Sequence, residues 1–233
     1  MLRSAIAVLV ALAAPLSAQD SKKITFRTLC LTHVDGVKML YLPGDEPGQF
    51  TEAPLFREVF SLPAEATVKG GKASFLLSKD APAPGKPPAA LPAVAIPGSS
   101  KILFLFLPNP GKKEAPYQIV AMPDDESSFP LGTTKTINLT PANLRFELGE
   151  QSIEVAPGKT TIIPAVKKVN HLNQFDAKVS YEIKPDEFVV FYNTRWRSVA
   201  AKRDIAVAFV EPTTKKPTVN LYEDAPPAPL PPP

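Results

Sequence analysis

From residue 24 to residue 222 the chain runs as short apolar segments rich in Val, Ile, Phe, Leu and Thr. Gly, Pro and Asp turn signals separate them at about eight to twelve residues per segment, the spacing of β-sandwiches and barrels. Residues 24–34 partly alternate, and Asp35-Gly36 then leads into 37–42, which predicts a hairpin. Segments 55–62 and 72–77 follow, with Gly70-Gly71 as a turn between them. Residues 102–107 (ILFLFL) are apolar at every position and predict a central strand buried on both faces, with 117–122 returning beside it. In the second half, segments 135–139, 143–148, 152–155 and 159–163 are bounded by Gly149-Glu150 and Pro157-Gly158, and 175–183, 187–197, 205–210 and 217–222 read as a closing meander. Few residues keep a helical 3.6 period, so the expectation is an all-β fold.

One internal similarity bears on domain count. The run 102–107, a Pro-containing turn, Lys112-Lys113 and a strand ending in Met122-Pro-Asp-Asp125 resembles 205–210, Glu211-Pro212, Lys215-Lys216 and a strand ending in Tyr222-Glu-Asp224. Each half would then close with the same hairpin. The organisation expected is two tandem Ig-like β-sandwich modules, 22–126 and 133–224, joined by 127–132 (SSFPLG); the alternative is one larger sandwich. Proline totals 28 residues and concentrates in 80–97 and 225–233. Proline fixes φ and lacks a backbone donor, so the first tract reads as a long surface loop and the second as a disordered tail, a spacer or a docking segment.

The N-terminus changes the picture of where this chain works. Arg3, the apolar run 5–14 and Leu16-Ser17-Ala18 before Gln19 have the three parts of a secretory signal peptide, 1–18. The apolar run is about half what a bilayer crossing needs, so no integral span is expected after cleavage. The destination is the periplasm or the extracellular medium. Cys30 is the single cysteine, which excludes an intramolecular disulfide and leaves stability to a hydrophobic core. Net charge is +3, with basic and acidic residues interspersed, and this argues against nucleic acid as a partner.

Candidate chemistry is sparse. Asp124, Asp125 and Glu126 are the densest acidic cluster but lack the spacing of a calcium loop. His33 and His171 accompany no G-x-S-x-G, H-E-x-x-H or paired-carboxylate pattern. The best positive feature is Arg195-Trp196-Arg197 followed by Lys202-Arg203. On a strand, Arg195 and Arg197 share one face and Trp196 takes the other, so two guanidinium forks can meet a phosphate or carboxylate of an envelope polymer while Trp196 is buried or stacks a sugar. Arg195, Trp196, Arg197 and Arg203 are therefore the ligand-binding candidates. No catalytic residue, metal or cofactor is expected.

The segments 128–133, 137–139, 148–149 and 155–158 together resemble a pattern in uncharacterised exported bacterial β-sandwich proteins, loosely DUF4397-type Ig-like repeats. The resemblance covers about the central third of the chain and implies fold, export and a bacterial source, with no catalytic residues to carry over. The functional expectation is a non-enzymatic envelope or extracellular module that binds a polymer or protein partner. The alternative is a hydrolase or carbohydrate-active enzyme with a site assembled from loops. The oligomeric state is left open.

Overall fold

The computed structural model describes residues 21–80, 85, 89–109, 111–211 and 213–225. Residues 1–18, expected to be a signal peptide, and 226–233 of the expected tail lie outside them, as do 81–84 and 86–88 of the proline tract. The fold is all-β, and among the described residues there is no helix. No helix of that part is therefore long and apolar enough to cross a membrane.

Sixteen strands follow in chain order: β1 (Ser21–Cys30), β2 (Met39–Pro43), β3 (Phe50–Pro54), β4 (Ala64–Lys69), β5 (Lys72–Ala73), β6 (Val94–Ala95), β7 (Lys101–Pro108), β8 (Tyr117–Pro123), β9 (Thr134–Asn138), β10 (Leu144–Leu148), β11 (Gln151–Val155), β12 (Thr160–Ile163), β13 (Gln174–Lys184), β14 (Glu187–Arg197), β15 (Arg203–Val210) and β16 (Pro217–Asp224). They form a six-stranded sheet β6-β5-β4-β1-β7-β8, a β2-β3 pair, and two four-stranded sheets, β11-β10-β13-β14 and β12-β9-β15-β16.

Three apolar clusters hold these sheets face to face. Ile102, Phe104 and Phe106 of β7 join Phe26 of β1 and Leu40 and Leu42 of β2 in the first, where Phe75 meets Phe104 edge-on at 5.0 Å. Phe146, Val179 and Trp196 meet Ala206 and Ala208 of β15 in the second. The third lies between the outer faces of the six-stranded and β12-β9-β15-β16 sheets, where Leu103, Leu105 and Leu107 oppose Ile205 and Val207. Successive strand residues point to opposite faces, so β7 must be apolar on both to sit between two cores. That is what its sequence shows.

Pairing repeats from one half to the other. β1 lies antiparallel to β4 and parallel to β7, which pairs antiparallel with β8; β9 lies antiparallel to β12 and parallel to β15, which pairs antiparallel with β16. In the facing layer, β3-β2 continues through single bridges from Tyr41 to Leu76 and from Leu76 to Ala90, matching the order β11-β10-β13-β14. Register gives residue equivalences. Arg27 is level with Leu103 and Met122, as Lys135 is with Ile205 and Tyr222. The flanking bonds agree: Leu31 N–H donates to Phe106 O (3.0 Å) as Leu139 N–H does to Ala208 O (2.8 Å). Both outer faces in the third cluster are therefore built from the same strand positions.

Several expected details differ. Residues 24–34 do not form a hairpin with 37–42: the turn is real, with Asp35 and Gly36 at φ 51° and 73°, but it carries the chain across the core to pair with β3. β1 is buried on both faces and takes a central place between β4 and β7 instead. Residues 55–62 contain no strand and lie against β1 through Cys30 N–Phe56 O and Ser61 N–Thr28 O. The closing meander breaks between β14 and β15, which belong to different sheets. The proline tract is not wholly a surface loop, because β6 pairs with β5 and Leu91 is buried in the first cluster.

Candidate functional site

The four binding candidates separate into two places. Arg195 and Arg197 stand exposed on β14, level with Asp176 and Gln174 of β13. Trp196, between them, is 4% exposed, packs edge-on to Phe175 (6.4 Å) and donates its indole N–H to the Tyr192 hydroxyl at 3.2 Å. It is a core residue and offers no face to a sugar. Arg203, also buried, belongs to another cluster altogether.

Beside Arg195 lies a concavity of about 400 Å³, lined by Lys168, Asn170, Gln174, Glu150 and Asp176 and floored by Phe175. Its charges are partly engaged. Glu150 accepts backbone N–H bonds from Lys167 (2.7 Å) and Lys168 (3.1 Å), and these hold its carboxyl below the usual range. Arg195 reaches Asp176 only at 3.4 Å, with both side chains largely in water, so this contact contributes little. Asn170 spends its amide oxygen on the N–H groups of Leu172 and Gln174, which shapes the rim. Gly149 shapes the wall: its φ is +57°, and a Cβ there would meet Val166 Cγ1 at 2.5 Å. The result is an open, polar site in which Arg195 and Lys168 stand beside the carboxylates of Asp176 and Glu150.

The charged residues that the fold does bring together are Arg27, Asp124, Arg203 and Asp224. Arg27 makes a fork with Asp124 (2.8 and 2.9 Å) and a second with Asp224 (2.7 and 2.7 Å). Arg203 bonds Asp224 and Asp124, both at 2.8 Å, and donates to Phe129 O at 2.8 Å. Side-chain exposure is 15% or less for all four. Burial alone would push Asp224 up, but the bonds and charges of Arg27 and Arg203 outweigh it and hold the carboxyl below the usual range. Burial likewise opposes the Arg27 charge, and its bonds to Asp224 and Asp124 overcome that. With two cations and two anions each satisfied within the group, this quartet ties the end of one half to the end of the other. It borders a cavity of about 250 Å³ without presenting an unpaired charge to it.

Around the quartet are two less comfortable groups. Lys135, 4% exposed, lies 4.2 Å over the Phe129 ring and donates to Pro123 O; desolvation lowers it to about 8 despite the opposing pull of Asp124. Burial pushes Asp204 up to about 6 against the pull of Lys202, and its Oδ1 is buried without a partner. Elsewhere, Asp125 caps its own turn by accepting from Ser127 Oγ and Ser128 N–H. His33 Nε2 lies 2.6 Å from Leu55 O, and His171 is exposed in the loop before β13. Among the described residues no group of three or more His, Cys, Asp or Glu is placed to hold a metal.

The quartet was missed in the sequence reading although its trace was there. Asp124 and Asp224 are the acids that end the two similar hairpins, and Lys101 and Arg203 are level with them on β7 and β15. Its partner Arg27 lies far away in sequence, and only the β1–β7 pairing brings it in. Comparison with family models and with curated proteins finds no match to this chain.

Proposed function

We propose that the chain is an exported, non-enzymatic module of the envelope or extracellular space, made of two β-sandwich modules, 22–126 and 133–224, that arose by tandem duplication. Support for the duplication comes from the strand-by-strand repetition of pairing and from the equivalent positions of Asp124 and Asp224. Its task is to bind an anionic envelope polymer at the Arg195 concavity. One observation carries this reading: Arg195 and Lys168 line the concavity and Arg197 is exposed two residues along the same edge strand, while the arginine pair Arg27 and Arg203 is consumed in a buried quartet. Planar guanidinium forks suit carboxylate or phosphate groups, and a shallow polar cleft suits an extended chain better than a small substrate.

The test is cosedimentation of the purified chain with a polycarboxylate polysaccharide and with a neutral dextran. Retention on the first only, lost on Arg195→Glu with Arg197→Glu, is the result expected. Equal retention of the double variant removes this site, and equal retention on dextran removes the charge argument. N-terminal sequencing of the exported chain should begin near Gln19.

A further inference from the structure

The third cluster is closed at one end by the ionic quartet and open at the other. At the open end, the turns after β1 and β9 and the ends of β7 and β15 part around a cleft of about 520 Å³. That volume falls in the range of roughly 300–1,000 Å³ typical of small-molecule sites. Its walls include the same strand positions from each half, Leu31 with its equivalent Leu139 and Leu107 with its equivalent Phe209, and Gln118 and Thr140 add polar groups to the lining. The inward rows of β7 and β15 thus remain apolar up to the strand ends, where Leu31 and Leu107 are buried in the cluster while Leu139, Phe209 and Val210 are only half-buried and turn apolar surface to the cleft. The charged residue lining the mouth is Lys215, at the β15–β16 turn, where its N–H donates to Glu211 O (2.9 Å). Glu211 also faces this turn, but backbone N–H groups of Thr214 and Thr213 occupy its carboxylate.

We propose that this cleft binds a single-chain amphiphile with an acyl tail and an anionic head, such as a medium-chain fatty acid. Apolar walls on both sides take the tail, and the Lys215 ammonium meets the carboxylate at the water boundary. The proposal is independent of the polymer site, because the cleft lies at an inter-sheet end and shares no lining residue with the Arg195 concavity.

The experiment is calorimetric titration of the purified full chain with octanoate, decanoate and dodecanoate below their aggregation limits, together with methyl NMR of leucine and valine. Affinity should rise about fourfold per added methylene, as burial of alkyl surface requires. Shifts should centre on Leu31, Leu107, Leu139 and Val210. Lys215→Glu should weaken decanoate about two- to fivefold and leave decanol unchanged. Phe209→Ser, checked for an unchanged thermal melt, should lower affinity for both. If that variant does not fold, the location of the methyl shifts decides alone. Absence of saturable binding, affinity independent of chain length, or shifts centred on another surface overturns the proposal. So does a stable dimer that covers the cleft, which would make its occupant a second copy of this chain.

Discussion

Removing Asp224 should cost far more than its position at the end of the last strand suggests. The side chain is 3% exposed and accepts three bonds of 2.7–2.8 Å, two from Arg27 and one from Arg203. Asp224→Ala leaves two guanidinium groups to share Asp124, an excess positive charge in a poorly hydrated place. Breaking a buried pair from one side costs about 3–5 kcal/mol, whereas an exposed pair contributes about 0–1 kcal/mol. For a chain of this size a loss of about 3–5 kcal/mol lowers the melting temperature by roughly 6–20 °C. The matched control is Glu154→Ala, which removes the exposed partner of Arg145 (2.7 Å, side chains 33% and 59% exposed) and should cost under about 1 kcal/mol. Guanidinium denaturation followed by circular dichroism measures both, and urea repeats at low and high salt should change the Asp224→Ala deficit little, because buried charges are weakly screened. Replacing all four quartet residues with Leu and Met should recover most of the loss. A deficit for Asp224→Ala no larger than that of Glu154→Ala would refute the claim that the quartet is a desolvated lock between the halves.

Other outcomes follow from individual environments. Asp204 is harder to ionise when folded (about 6) than unfolded (3.8), so its ionisation costs stability above pH 6 and that cost fades as pH falls towards 4, by at most about 3 kcal/mol. Asp204→Asn should flatten that part of a pH–stability curve, while Asp224, held low, makes the native chain lose stability only on further acidification. Trp196→Ala should lower stability by about 3–5 kcal/mol in chemical denaturation, and Arg195→Ala by no more than about 0.5 kcal/mol. Gly149→Ala should cost at least about 1 kcal/mol, since it combines a positive φ with a collision at Val166. Burial pushes the Cys30 thiol up to about 11, so iodoacetamide at neutral pH should label it only after the chain is unfolded.

Much of the fold was legible because its causes are local. The apolar run of β7 announced a strand between two cores, and Gly and Pro turns marked many strand ends, including those of β10 and β11. The alternation of Arg195, Trp196 and Arg197 also placed the tryptophan and the arginines on opposite faces, as the pleat requires. Sequence could not assign partners, because a strand's pattern states how many of its faces are buried and is silent on what lies alongside. Residues 24–34 and 37–42 have the pattern and turn of a hairpin, yet β1 is claimed by β7 across more than seventy positions and β2 by β3. For the same reason Arg203 read as a neighbour of Arg195 and Arg197. The crossing between sheets after β14 carries it to the opposite side of the second core, where Asp224 and Asp124, shared with Arg27, neutralise it. Periodicity and turn chemistry thus determined the all-β character and the positions of most strands, while β3, β4 and β6 fell outside the predicted segments and 55–62 proved not to be a strand. The parallel contacts, the repeated pairing and the charge quartet depend on long-range register, which only the packed sheets decide.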